Sequence, residues 1–214
     1  MGTRVGLDSP TREDRCAFRS AALAWYKEAM AATSTMVPLG TVAPDFDLVD
    51  VLTNDRVRLD DLAGSRVLLV EFICRHCPCV RHIAGELGAL SRDYAASGDV
   101  AIVAISSNDA VAYPADAPES LAEFGRKIGL THPLLYDETQ AVARAYGAVC
   151  TPDFFVFDER RRLVYRGQLD DSRPGNGQPV TGRDIRGALD AALTGRELSP
   201  DQRPSMGCSI KWKE

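Results

Sequence analysis

The chain has 214 residues, 45% of them hydrophobic, with a formal net charge of −5. That size and composition suit one globular domain with extensions, and the acidic balance argues against a nucleic-acid partner, which needs a clustered basic face. No apolar run approaches the roughly 18 residues of a membrane span, and no secretory pattern opens the chain, so no membrane association and a cytoplasmic location are expected.

Residues 1 to 10 carry Gly, Pro and Ser without periodicity and are expected to be disordered. Thr11 to Ala32 read as a helix. Thr11 suits a cap, Glu13 and Asp14 a first turn, and Phe18, Leu23, Trp25, Tyr26 and Met30 supply apolar content. This added helix, with Cys16 as a bystander, suits docking on the main domain or a homodimer contact. Thr33 to Gly40 is a linker. Alternating residues in Asp45 to Val49 and Arg56 to Leu59, around Thr53-Asn54-Asp55, predict a hairpin. Asp60 to Gly64 is a short helical turn.

Val67 to Ile73 is an apolar, β-branched run that reads as a buried strand. A helix follows from Pro78 to Ser97, with Ile83, Leu87 and Leu90 at helical spacing and Gly98 beyond its end. Val100 to Ile105 is a second buried strand. Ala117 to Gly129 reads as a helix with Pro118 near its start, Leu134 to Tyr136 as a short strand, and Thr139 to Tyr146 as a short helix. Phe154 to Phe157 and Arg162 to Tyr165 form a closing hairpin, in which Arg160-Arg161-Arg162 is a solvated turn. Gly167 to Gly182 is a long loop, Arg183 to Leu193 a last amphipathic helix, and Gly195 to Glu214 an irregular tail.

This order predicts an α/β protein: a mixed central sheet, helices on both faces, an N-terminal β-hairpin and an added N-terminal helix. Residues 1–35 form an extension, 36–195 the main domain, and 196–214 a tail carrying Cys208.

The chemistry concentrates in Cys74-Arg75-His76-Cys77-Pro78-Cys79-Val80-Arg81-His82, where the first buried strand meets its helix. In a cytoplasmic protein six cysteines point to thiol catalysis, redox sensing or metal binding rather than to a disulfide framework. Cys77 is the best nucleophile. The helix N-terminus, the adjacent His76 and the nearby Arg75 and Arg81 all favour a thiolate. Cys79 sits on the helix and is expected to turn away. His82 either lines the site or faces solvent, and His132, before Pro133, reads as a loop residue.

The strand order, the cysteine at the tip of the central strand and Thr151-Pro152 before the last hairpin resemble the thioredoxin fold. Ala43-Pro44-Asp45-Phe46 resembles the start of its redoxin, or peroxiredoxin-like AhpC/TSA, branch. Four further stretches look like a little-characterised bacterial group within that branch: Phe72 to Pro78, Ala148 to Phe155, Tyr165 to Pro174 and Gly207-Cys208. The resemblance implies that Cys77 is the nucleophile and that Glu71 is a buried acid helping to move protons. It implies a cis Thr151–Pro152 bond, with Pro152 facing the nucleophile. Val80 stands where thioredoxin keeps its second cysteine, and Val70 and Cys74 where peroxiredoxins keep Pro and Thr or Ser.

The expected activity is thiol–disulfide exchange or peroxide reduction by an antioxidant oxidoreductase. It needs no cofactor, and its electrons come from an external thiol reductant such as a thioredoxin system. Candidate resolving partners for Cys77 rank as Cys74, then Cys208, then Cys150. The alternatives are a copper or zinc carrier using Cys74, His76, Cys77 and His82, and a non-catalytic redox sensor.

Overall fold

The computed structural model describes residues 31–95 and 98–214. The expected N-terminal helix lies almost wholly outside them; its last two residues, Ala31 and Ala32, instead enter a strand, β1 (Ala31–Thr33). The predicted hairpin forms as β2 (Asp47–Asp50) and β3 (Arg56–Arg58), antiparallel, with Leu48 opposite Val57. A short 3-10 turn, Leu59–Leu62, leads into β4 (Val67–Phe72) and then α1 (Pro78–Ala95). Next come β5 (Val100–Ser106), a turn at Pro114–Asp116, α2 (Pro118–Ile128), β6 (Leu134–Tyr136) and α3 (Ala141–Tyr146). The chain closes with β7 (Cys150–Thr151), β8 (Asp153–Phe157), β9 (Leu163–Gly167), α4 (Arg183–Thr194) and β10 (Met206–Ser209).

Seven strands form one mixed sheet in the order β3-β2-β6-β5-β4-β8-β9. β4 pairs in parallel with β5 and antiparallel with β8, so it is central and buried along its whole length. Alternation then sends its side chains to opposite faces. Val67 and Leu69 join Leu87 and Leu90 of α1, Leu121 of α2 and Leu189 of α4 in one core. Leu68, Val70 and Phe72 join Tyr146 of α3 with Phe155 and Phe157 in the other. Helices therefore cover both faces, in the arrangement of a thioredoxin-like fold. No helix among the described residues is long and apolar enough to cross a membrane.

The C-terminal segment departs from the expected irregular tail. β1, β10 and β7 make a second, three-stranded sheet, and the compact unit runs from Ala32 to Glu214. Backbone groups fix this segment in place: the Ile210 amide donates to Val149 O at 2.9 Å, and the Lys211 amide to Asn108 Oδ1 at 2.8 Å. Gln140 holds it from both sides, donating to Lys211 O at 2.7 Å and accepting from the Lys213 amide at 2.8 Å. Gly207 is required by close approach: a Cβ there would stand 2.0 Å from Thr151 O.

Candidate active site

β4 delivers Ile73 to the sheet edge, where its amide still bonds Ile105 O at 3.0 Å. The chain then turns sharply, and one buried carboxylate organises the turn. Asp116 Oδ1 accepts from the amides of Arg75 (2.7 Å) and His76 (3.1 Å). Its Oδ2 accepts from Asn108 Nδ2 at 2.8 Å and contacts His76 Nδ1. Burial pushes the Asp116 carboxyl up, but the bonds from His76 and Asn108 outweigh it and hold the group below its ordinary value. The His76 ring stacks on Tyr113 with centroids 5.5 Å apart.

The turn ends at Cys77, which caps α1: its carbonyl accepts the Arg81 amide at 3.0 Å. Its Sγ is fully buried and meets two other elements. Thr151 O, at the cis Thr151–Pro152 bond, lies 3.2 Å away, and Cys208 Sγ lies 2.8 Å away. Cys208 reaches this place because β10 sets it directly opposite Thr151. The resemblance had implied the cis bond, and the backbone contains it.

The Thr151 carbonyl favours the Cys77 thiol, whereas hydrogen bonds from Cys208, Cys74 and Cys79, together with the Val80 amide, favour the thiolate. The second set prevails and holds Cys77 well below the usual thiol range. The same sharing keeps Cys79 protonated, through its bonds to Cys208 and then Cys77. Burial, with the bond to Cys77 adding to it, pushes Cys74 well up. Burial also raises Cys150.

Cys79 corrects an expectation. Its Sγ does not turn away; the sulfurs of Cys77, Cys79 and Cys208 all lie within 4.8 Å of one another. The reason is local: Cys77 is the cap and Cys79 lies in the first turn, so regular helical rotation does not separate them. Of the three candidate partners, Cys208 stands 2.8 Å from Cys77, Cys74 borders both Cys77 and Thr151 Oγ1 (3.1 Å), and Cys150 lies outside the three-sulfur cluster. The proposed metal set of Cys74, His76, Cys77 and His82 does not converge. Cys74 and His76 group with Asp116 instead, and Cys77 groups with Cys79 and Cys208.

Glu71 lies on the α1-facing side of β4, between Leu69 and Ile73. It is fully buried, and burial pushes its carboxyl up to about 8. Facing it, 3.7 Å from Glu71 Oε2, is Nε2 of His132, and neither atom has a hydrogen-bond partner. Burial pulls His132 down to about 4, so near neutral pH an uncharged acid faces an uncharged imidazole. His132 lies in the loop before β6, as expected, but is buried there: its Nδ1 sits 3.0 Å from Ser91 Oγ. Asp116 went unnoticed in the sequence, standing between two prolines forty residues after the cysteine turn. His82 and Cys79 both line a small cavity with Pro152, Phe154, Arg173 and Met206, which makes Cys79 the outward-facing member of the thiol cluster.

Comparison with known proteins gives the chain's family and fold. The family model described as the AhpC/TSA family matches residues 39–166, more than half of the chain. A crystal structure of an uncharacterized conserved protein from Geobacillus kaustophilus is 54% identical, with a TM-score of 0.83. That match covers 86% of this chain and 96% of the other. The thiol-disulfide oxidoreductase ResA of Geobacillus thermodenitrificans is 30% identical over 131 residues, covering 60% of this chain and 68% of ResA. A thiol:disulfide interchange protein of the thioredoxin family from Chlorobium tepidum TLS shares the fold at 19% identity and a TM-score of 0.55, over 74% of this chain and 99% of its own. The chain thus belongs to the AhpC/TSA family, on a thioredoxin-like fold that it shares with thiol-disulfide oxidoreductases.

Proposed function

We propose that this protein is a thiol-disulfide oxidoreductase in which Cys77 attacks and Cys208 resolves. The observation that carries the reading is the 2.8 Å approach of the two sulfurs. A disulfide needs about 2.05 Å, so closure asks for a shift of well under an ångström at the sulfurs.

In the forward reaction the Cys77 thiolate attacks one sulfur of a substrate disulfide, and the other sulfur leaves as a thiolate. The Cys208 thiolate then attacks Cys77, and the second substrate sulfur leaves. The substrate gains two electrons, and the protein is left with a Cys77–Cys208 disulfide. An external dithiol, such as a thioredoxin-type reductant, returns both electrons. With a peroxide as oxidant, Cys77 would become a sulfenic acid, which the Cys208 thiol would condense to the same disulfide with loss of water. Names borne by relatives support the first substrate class, as does the thioredoxin-like placement of Cys77 against a cis proline.

The test is turnover of a small disulfide under a dithiol regenerating system. Cys77→Ser is expected to lose turnover completely, and a variant as active as the native protein would remove the assignment.

A further inference from the structure

The three sulfurs of Cys77, Cys79 and Cys208 have a second use. We propose that the reduced protein binds one copper(I) ion between these three thiolates.

Two features point to it. The sulfurs come from three positions on two elements, the cap and first turn of α1 and strand β10, and lie within 4.8 Å of one another. A metal–sulfur bond of about 2.3 Å places the corners of a trigonal site about 4 Å apart, so the cluster is already close to ligand spacing. The Cys77–Cys208 pair, at 2.8 Å, has to open by about an ångström given that bond length. Cys79, the third ligand, lines the small cavity and gives the cluster its access from outside.

The second feature is the donor set. It is all thiolate with no carboxylate, which favours a soft monovalent ion of low coordination number over one that requires oxygen ligands.

The other group of potential ligands, Cys74, His76 and Asp116, is set aside. Both oxygens of Asp116 are already engaged by Arg75, His76 and Asn108, and His76 Nδ1 is turned toward Asp116 rather than toward an open centre.

The site goes beyond the exchange reaction and competes with it, since Cys77 and Cys208 cannot hold the ion and form a disulfide together. The experiment is an anaerobic titration of the fully reduced chain with copper(I) against a chromophoric copper(I) chelator, followed by X-ray absorption on the loaded protein. Expected are one ion per chain, a first shell of three sulfurs, and stoichiometric inhibition of disulfide turnover. Cys79→Ser is expected to weaken binding at least tenfold and to leave two sulfurs, whereas Cys150→Ser binds as the native chain does. Failure to compete with the chelator would overturn the site, as would a Cys79→Ser chain of unchanged affinity or a shell containing nitrogen. Metal-free turnover read on the same preparation separates the two hypotheses: a failed titration with intact turnover removes copper and leaves the exchange reaction standing.

Discussion

Cys77 Sγ lies 2.8 Å from Cys208 Sγ, although the two residues are 131 positions apart in the chain. The helix cap supplies one sulfur and the last strand the other, and the Thr151 carbonyl sits against the first of them.

If Cys208 resolves, removing it should separate attack from release. Cys208→Ser is expected to accept one substrate equivalent and then stall as a mixed disulfide at Cys77, with turnover down by about two orders of magnitude. Mass spectrometry of the quenched reaction checks this, and a Cys208→Ser chain with full turnover would remove Cys208 from the reaction. Cys74→Ser should retain most turnover, because Cys74 is held to Thr151 Oγ1 and burial keeps it protonated.

The placement of Cys208 depends on β10 lying tight against β7. Gly207→Ala puts a methyl 2.0 Å from Thr151 O, so strand and carbonyl must move apart. The expected cost is about 1–3 kcal/mol of unfolding free energy, measured in urea, with faster alkylation of Cys208 in the folded state. A variant of native stability with Cys208 still protected would contradict that packing.

Asp116 holds the turn that aims Cys77. Asp116→Asn keeps the shape but sets an amide N–H where four donors now converge. A loss of about 1–3 kcal/mol of stability is expected, together with a lower kcat at saturating substrate, because a buried donor is left unpaired and the turn loosens. Denaturation and kcat measured on one preparation check both.

Glu71 and His132 give opposite pH signatures. The Glu71 carboxyl, ordinarily near 4.5, is pushed up to about 8 in the fold. Between those values the unfolded chain releases a proton that the folded chain keeps, so stability falls as pH rises through that window and levels off above it. His132 is pulled from 6.5 down to about 4, so its contribution is lost as pH falls through that range. Glu71→Gln should therefore flatten the decline between about pH 5 and 8, and His132→Gln the acid limb. Urea titrations across pH 4 to 9 read both slopes, and a Glu71→Gln profile parallel to the native one would contradict the buried acid.

Much of this architecture is legible in the chain because it is written in local periodicity. Val67 to Phe72, the α1 stripe of Ile83, Leu87 and Leu90, and the hairpin of β8 and β9 fold where their patterns say. The alternation Leu69, Glu71, Ile73 also carries Glu71 to the α1 side of the sheet. What stays hidden depends on register between distant segments. Cys208 meets Cys77 only because β10 pairs with β7, and a four-residue strand is too short for periodicity to announce it. His132 becomes buried by facing Glu71 from the loop before β6, and Asp116 matters through backbone amides forty residues earlier. Cys79 is misplaced by its spacing because a helix cap breaks the rotation that such arguments assume.

The most direct test of the account is non-reducing peptide mapping after one equivalent of a disulfide oxidant. A Cys77–Cys208 bridge, with Cys74 and Cys150 still free thiols, is the result expected. A Cys74–Cys77 bridge that leaves Cys208 free would contradict it.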